Sequence, residues 1–435
     1  MAQEYPLLKK NFAVPGIRDI DVAIEHGNYS ALKKAVTELS PDDVVDLIKT
    51  ANLQGRGGAW FSAGMKWSFM PKEPDGDSVL CVNCDESEPG TFKDRALIEK
   101  DPHLCLEGAI IAAYAIRARV AYVYIRGEMT AGIKLMDEAI EQAREKGFIG
   151  KNVCGTEVEI QVHIHPGAGA YICGEETGLM ESLEGKRAYP RNKPPFPAQY
   201  GAFGRPTTVN NLGTLCYVPM IVNNGAEWFT SIGYEPFPGT LIYGVSGHVN
   251  KPGNYECTMD ITLRELIELA GGVRDGHEIK AVIPGGSSMP VLTADELDIR
   301  MAPDSFKPRG DVQSGLGSAG VIVMDETVSM PETLLNMMKF YVHESCGQCT
   351  PCREGCKWIH DVVERMVDGR GTSDDVDLLE QILVNVGDID KFEFNKTICL
   401  FGVSFGWPAT VMVRKFRHEF EALISKNAGG LPVVA

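Results

Sequence analysis

Three cysteines within seven residues, Cys346, Cys349 and Cys352 in a C-x2-C-x2-C spacing, constrain the fold of this chain more than any other feature. Three thiolates so placed can take three corners of an iron–sulfur cubane from one tight loop, which leaves one iron for a ligand brought from elsewhere. Gly347 and Pro351 suit a backbone that must wrap an inorganic core. A structural zinc site is the competing reading, but zinc sites usually draw on two separated ligand pairs, so the triplet favours a [4Fe–4S] cluster. For the fourth ligand the spacing leaves two candidates almost level. Cys356 completes C-x2-C-x2-C-x3-C, yet in two-cluster ferredoxins that cysteine serves the other cluster and a proline follows it. Here Lys357 follows and there is no second triplet, so Cys356 reads as a small residue on a first helical turn. Cys399, in a turn between helical segments, is the alternative.

Twelve cysteines are many for a chain whose first residues, Met1 to Asn11, lack the apolar run of a signal peptide. The most apolar stretch, 104–125, is broken by Glu107, Arg117 and Arg119 and is too interrupted for a membrane helix. A soluble protein of a reducing compartment is expected, where clustered cysteines indicate metal before disulfide. The net charge of −17 argues against a nucleic-acid partner, because a phosphate backbone would be repelled. The length of 435 residues predicts two to four domains.

Residues 17–52 read as short amphipathic helices, with Ile17, Ile20 and Ile24 on one face and Val44, Val45, Leu47 and Ile48 following Ser40-Pro41. From about Gly55 to Asn224 the pattern is α/β. Strands are predicted at 78–82, 121–125 and 158–164, alternating with helices at 104–117 and 131–146, which argues for a mostly parallel sheet. Pro190 to Pro206 is a long structured loop. Thr240 to Met301 is a small β-rich unit containing a strand at 241–245, a turn at Lys251-Pro252-Gly253 and a helix from Leu263 to Ala270 stopped by Gly271-Gly272. A loop at 302–320 leads to a helical remainder, 331–427.

Three loops of the α/β region carry ligand-binding signatures. Gly55-Arg56-Gly57-Gly58-Ala59 and Gly64-Met65-Lys66-Trp67 combine glycines, which let backbone N–H groups approach a phosphate, with the cations Arg56 and Lys66. Trp60 keeps this loop from being a G-x-G-x-x-G. Asn83 to Gly90 places Asp85, Glu86, Ser87 and Glu88 directly after a strand, where such sheets bind ligands. Gly167 to Glu176 repeats the pattern of glycines and carboxylates, and Asn210-Asn211 follows the proline-rich loop. Each has a solvated loop as its bland alternative; three in one α/β region favour a cofactor site.

Together these segments resemble the NADH-binding flavoprotein subunit of respiratory complex I, NADH–quinone oxidoreductase. The resemblance rests on residues 55–67, NCDESEPGTFKDR at 83–95, GAGAYICGEET at 167–177, PRNKPPFPA at 190–198, VNN at 209–211 and ESCGQCTPCREG at 344–355, and it spans essentially the whole chain. It implies an α/β chain of four parts: an N-terminal helical segment (1–54), a Rossmann-like FMN/NADH domain (55–239), a β-grasp, SLBB-like domain (240–325) and a helical bundle holding the cluster (326–435). It places FMN against Gly55, Arg56, Gly57, Lys66, Asn83, Asp85, Glu86, Ser87, Tyr171, Gly174, Glu175, Val209, Asn210 and Asn211. NADH would meet Phe61, Phe69 and Phe196 on its adenine side, and Glu88, Glu176 and Lys193 at its nicotinamide or ribose, with Glu88 and Glu176 as the catalytic pair. The implied cluster ligands are Cys346, Cys349, Cys352 and Cys399.

The implied activity is hydride transfer from NADH to FMN, followed by single-electron transfer to the [4Fe–4S] cluster. The implied partners are a small [2Fe–2S] subunit and a large multi-cluster subunit. The implied location is cytoplasmic, in the peripheral arm on the inner face of the bacterial plasma membrane, touching the membrane only through the complex. A diaphorase subunit of an NAD-linked hydrogenase or formate dehydrogenase shares this core and is the alternative. Three positions depart from the family pattern: Trp60 where a glycine is usual, Gly213 where a glutamate is usual, and an unusually apolar Leu400-Phe401-Gly402-Val403. Trp60 is expected to face the dinucleotide, stacking on it or crowding it.

Overall fold

The computed structural model describes residues 3–72, 78–307 and 310–427. Its N-terminal helices Ile20–Glu25, Ser30–Glu38 and Pro41–Thr50 follow the predicted pattern. Ser40 and Asp43 cap the third reciprocally, with Pro41 where a missing N–H costs nothing. Ile17 and Ile20 are buried, but Ile24 is 38% exposed and does not share their face.

Four parallel strands form the first sheet: β1 (Val79–Cys84), β2 (Val120–Ile125), β3 (Gln161–Pro166) and β4 (Thr207–Asn211), in the order β3-β2-β1-β4. The first three are the predicted strands shifted by one to three residues. β4 adds to the expected set, because Thr207-Thr208-Val209 is too short an apolar run to stand out beside the prolines that precede it. The helix Pro102–Ala115 is buried on nearly every side, between the sheet and the N-terminal helices. Gly108 permits this, since a Cβ there would stand 2.1 Å from the Leu215 carbonyl oxygen.

A short hairpin, β5 (Gly233–Tyr234) with β6 (Phe237–Pro238), leads into a second, mixed sheet. Its strands are β7 (Thr240–Gly247), β8 (Gly253–Thr258), β9 (Ile279–Ile283), β10 (Leu292–Thr293) and β11 (Gly320–Asp325), ordered β10-β9-β11-β7-β8. β11 lies beyond the predicted β-rich unit and is central, parallel to β7 and antiparallel to β9. The helix Leu263–Leu269, with a Thr262–Glu265 capping box, buries Leu263, Leu266 and Ile267 in the same core.

The C-terminal region is helical: Met330–Glu344, Thr350–Val367, Asp375–Val386, Phe401–Lys415 and Arg417–Asn427. Its core also takes Ile172 from the α/β region and Ala281 and Ile283 from the second sheet, so the three regions meet at one place. Among the described residues, no helix is long and apolar enough to cross a membrane.

Candidate active site

A cleft of about 320 Å³ opens at the carboxyl ends of β1 and β4, where the strand order reverses. That is the expected ligand crevice of an open parallel sheet. Gly57, Gly58, Asn211, Thr91, Lys93 and Asp94 line it, together with Tyr171, Glu175, Cys399 and Phe401. Asn83, Asp85, Glu86 and Ser87, from the loop after β1, complete this lining.

The carboxylates after β1 have different duties. Glu86 accepts the backbone N–H groups of Asp94 (2.8 Å) and Arg95 (3.0 Å), capping the helix Lys93–Lys100. Asp85 accepts from the Ser87 hydroxyl at 3.2 Å, but its Oδ2 is buried without a partner. Burial pushes its carboxyl up to about 7. Glu88 is held from three sides: the Tyr171 phenol donates to Oε2 at 2.6 Å, and the Ser288 N–H (2.7 Å) and Ser287 hydroxyl (3.4 Å) donate to Oε1. Burial raises its pKa, and those donors oppose the rise. Asn83 Nδ2 donates to the Gly174 carbonyl at 2.9 Å, tying the loop after β1 to the loop after β3. Glu175 lines the cleft while capping the helix Glu176–Leu183.

Glycines keep the walls close. A Cβ on Gly57 would lie 3.0 Å from Asn211 Cβ, a tight contact that Asn211 would have to yield to, while one on Gly174 would meet the Asp85 carbonyl oxygen at an ordinary 3.6 Å. The narrow glycine cradle, the unpartnered Asp85 oxygen and the strand-end position fit a flat, hydrogen-bonding cofactor.

Several expected contacts lie outside the cleft lining. Lys66 donates to Glu176 Oε2 and to the Val209 carbonyl, both at 2.8 Å, and Lys193 pairs with Glu176 from the other side. Burial would raise the Glu176 pKa, but the two ammonium groups outweigh it and hold it at about 2. Phe61 and Phe69 stand 6.3 Å apart, and both are more than half exposed, as is Phe196. The side chain of Val209 is in the core, and Asn210 accepts from Trp67 Nε1 at 2.8 Å. Gly55 closes the loop through its N–H to the Phe61 carbonyl.

Two readings of the glycine loop are corrected. The Arg56 guanidinium is buried away from the cleft, donating to the carbonyls of Gln54 and Pro238 and lying 5.3 and 5.4 Å from the Trp60 and Tyr217 rings. It does not line the cleft. Trp60 does not face the cleft either; its indole is buried in the core of the second sheet. At Gly213, a Cβ would meet Asp94 Oδ1 at 2.7 Å, so the Lys93–Asp94 ion pair packs against this position.

Sequence reasoning missed the second sheet's contribution. Ser288 and Met289 from the loop after β9, and Gly317 and Ser318 from the loop before β11, form one wall. A Cβ on Gly286 would stand 2.5 Å from Glu88 Cγ, so that loop must approach closely. The run Pro284-Gly285-Gly286-Ser287-Ser288 directly after a strand is the signal that could have found it.

The cysteine triplet bridges two helices: Ser345 ends one, and Cys349 is the N-cap of the next, with Pro351 in its first turn. Gly347 takes a left-handed φ of 80° there. The Ile398 N–H points to Cys349 Sγ at 3.4 Å, which brings the Cys399 turn beside the triplet. Cys356 is buried and donates to the Arg353 carbonyl at 3.4 Å. Among the described residues, only His360, Asp361 and Glu364 bring three ligand atoms within 4.8 Å of one another. Three sulfurs on one zinc, at Zn–S distances of about 2.3 Å, would lie roughly 3.8 Å apart. The three sulfurs of the triplet are not gathered that closely, and their spacing in sequence is that of thiolates on separate irons.

Residues 48–220 match the family model of the Nuo51 FMN-binding domain, 242–312 that of the SLBB domain, and 332–423 that of the NADH-ubiquinone oxidoreductase-F iron-sulfur binding region. An NADH-quinone oxidoreductase subunit of Rhizobium meliloti (strain 1021) is 47% identical over 423 residues, 97% of this chain and 98% of the relative. The corresponding NADH-quinone oxidoreductase protein of Rickettsia rickettsii (strain Sheila Smith) is 48% identical over 393 residues, 90% and 91% of the two chains. Among solved structures, an NAD+-reducing [NiFe]-hydrogenase in the H2-reduced state superposes with a TM-score of 0.81 at 32% identity, covering 97% of this chain and 67% of the other.

Proposed function

This chain belongs to the family of NADH-quinone oxidoreductase subunits that join a Nuo51 FMN-binding domain to an iron-sulfur binding region, and from that premise we propose how its residues divide the work. The protein is the electron-entry subunit of NADH-quinone oxidoreductase, a flavin-dependent NADH dehydrogenase with FMN and a [4Fe–4S] cluster. When bound, FMN would supply the conversion between a two-electron hydride donor, NADH, and a one-electron acceptor, the cluster. One observation carries the assignment of roles: a single cleft is lined by Gly57 and Asn211 and also by Cys399.

On this reading the cleft holds FMN, with Gly57, Asn83, Asp85, Glu86, Ser87, Tyr171, Gly174, Glu175 and Asn211 around it. Gly55, Lys66, Val209 and Asn210 support the walls from behind, and Arg56 contributes backbone only. Asp85 Oδ2, buried without a partner, would be available to accept a hydrogen bond from the cofactor. NADH enters over the outer rim, where Phe61, Phe69 and Phe196 present exposed faces and Lys66, Glu176 and Lys193 form a charged chain. Glu88 and Glu176 lower the affinity for negatively charged dinucleotide near the nicotinamide and so favour product release. Cys346, Cys349, Cys352 and Cys399 hold the cluster. The first turns of the helices Thr350–Val367 and Phe401–Lys415 favour thiolate charge there.

The chain is divided into a helical segment (1–54), a Rossmann-like domain (55–239), a β-grasp domain (240–325) and a cluster-binding bundle (326–435). Support comes from the matched ranges and from the mixed sheet with its single short helix. The protein is one component of a multi-subunit enzyme. Its neighbours are inferred to be a small [2Fe–2S] subunit and a large multi-cluster subunit, in a peripheral arm on the cytoplasmic face of the membrane. The similarity to a hydrogenase component fits a diaphorase reading, but 47–48% identity to NADH-quinone oxidoreductase subunits outweighs 32%.

The test is NADH–ferricyanide activity with FMN and iron quantified in the same sample. Activity should track flavin content. Activity without flavin, or none with full flavin and iron, would overturn the division of roles.

A further inference from the structure

We propose that Trp60 is a positioning residue that latches the glycine-loop wall of the cleft to the wall supplied by the second sheet, and so sets how tightly FMN is retained. This rests on the reading of the cleft as the FMN site. Gly57, Gly58 and Ala59 line one wall; Gly317 and Ser318 line another, 257 residues from Trp60 at their nearest contact. The two walls touch where the α-carbon of Gly58 faces Gly317, since a Cβ on Gly58 would lie 3.7 Å from the Gly317 carbonyl carbon. Directly beside that contact, Trp60 Nε1 donates to the Gly317 carbonyl oxygen at 3.0 Å.

The backbone of Trp60 marks the same position as anchored. Its φ is +53°, a left-handed conformation that a bulky side chain rarely adopts and that persists only where surrounding contacts enforce it. Three contacts do so. The indole donates to Gly317, stacks over the buried Arg56 guanidinium, and is the one residue before Tyr234 in the second sheet's apolar core among the described residues. Arg56 is in turn fixed to the Pro238 carbonyl at 3.0 Å and to the Tyr217 ring, and the Tyr217 phenol donates to the Thr240 carbonyl at 2.8 Å. The glycine loop, flexible by composition, is thereby tied through two consecutive anchors to the strand that opens the second sheet. The Thr91 and Ser318 hydroxyls, in mutual hydrogen-bond contact, are a neighbouring cross-tie at the cleft.

The experiment is FMN release from the full-length, FMN-loaded protein, followed by the rise in free-flavin fluorescence on dilution, for the wild type, Trp60→Phe and Trp60→Leu. Phenylalanine keeps a ring over Arg56 and removes only the N–H donor, leaving the Gly317 carbonyl short of a partner. Release should be about three- to tenfold faster in Trp60→Phe, the worth of one buried hydrogen bond, and faster again in Trp60→Leu. Equal release from the wild type and Trp60→Phe overturns the latch. A wild type that holds no FMN overturns instead the reading of the cleft. Should the variants not fold, hydrogen exchange on the flavin-free wild type decides: protected amides at 57–60 and 317–319 support a latch that exists without cofactor, and free exchange at both overturns it.

Discussion

The Tyr171 phenol donates a 2.6 Å hydrogen bond to Glu88 Oε2, joining residues 83 positions apart on two different strand-end loops. Burial pulls the Glu88 pKa up and the phenol pulls it down, so Tyr171→Phe must raise it further. If ionised Glu88 serves NADH turnover, the acid limb of kcat/KM moves to higher pH in Tyr171→Phe. Its position is read from steady-state rates across pH 5 to 9; an acid limb that stays put removes Glu88 from the reaction.

Glu176 is ionised across the working pH range because Lys66 and Lys193 hold it at about 2 despite burial. In Glu176→Gln, Lys66 loses its carboxylate partner and Lys193 keeps only the longer pairing with Glu175 at 3.7 Å, so the anionic product binds more tightly. We expect the inhibition constant of NAD+ to fall several-fold, measured as product inhibition. The pair also stabilises the fold, and the sign follows from the lowered pKa: the contribution is present above the unfolded value near 4.5 and is lost as pH falls toward 2. The gap in urea midpoint between the wild type and Glu176→Gln should therefore narrow as pH drops from 5 toward 3. A constant gap contradicts the pairing.

Asp85 has the opposite sign. Its folded pKa of about 7 lies above the ordinary 3.8, so the fold loses stability as pH rises from about 4 through 7. Asp85→Asn removes that cost. The flavin-free variant should be more stable than the wild type at pH 8 by a few kcal/mol, an order-of-magnitude figure from ~1.4 kcal/mol per pKa unit, and close to it at pH 4. FMN affinity should fall, because asparagine puts either an NH2 donor or a weaker, neutral carbonyl acceptor where Asp85 Oδ2 stands. Thermal unfolding at both pH values and flavin titration check the two halves separately.

Cys399→Ala should lower iron content and bleach the cluster's visible absorbance, while Cys356→Ala should retain both. Cys356 loses only a buried thiol whose partner is the Arg353 carbonyl, a change of about 1 kcal/mol. Iron and sulfide analysis of the two proteins, purified without oxygen, reads the outcome. Iron lost only from Cys356→Ala would reverse the assignment of the fourth ligand.

Much of the site was legible locally. The strand-end loops 83–90 and 167–176 face the cleft as their position after β1 and β3 implied, because side chains at the carboxyl ends of parallel strands have nowhere else to point. The cations misled. Arg56 and Lys66 sit in a glycine loop as phosphate-binding cations do, yet one is stacked between Trp60 and Tyr217 and the other is taken by Glu176 and Val209. Tyr217 and Pro238 for Arg56, and Glu176 and Val209 for Lys66, are remote in sequence, so the local pattern held no warning. Trp60 misled for the same reason: its place in the loop suggested a cofactor contact, and its apolar surface chose the core of the second sheet.

The amino-acid sequence alone determined the chemistry this chain carries. Cysteine spacing within one loop and glycine-rich strand ends are short-range properties, written in adjacent residues. Only the tertiary structure decided which wall faces which. Ser288 reaches Glu88 across 200 residues and Trp60 reaches Gly317 across 257, and such contacts form when separate apolar cores pack together. The hydrophobic effect that drives that packing has no direction of its own. Steric fit at Gly58, Gly286 and Gly317 therefore chose which carbonyl and which carboxylate would meet, and no local pattern records that choice.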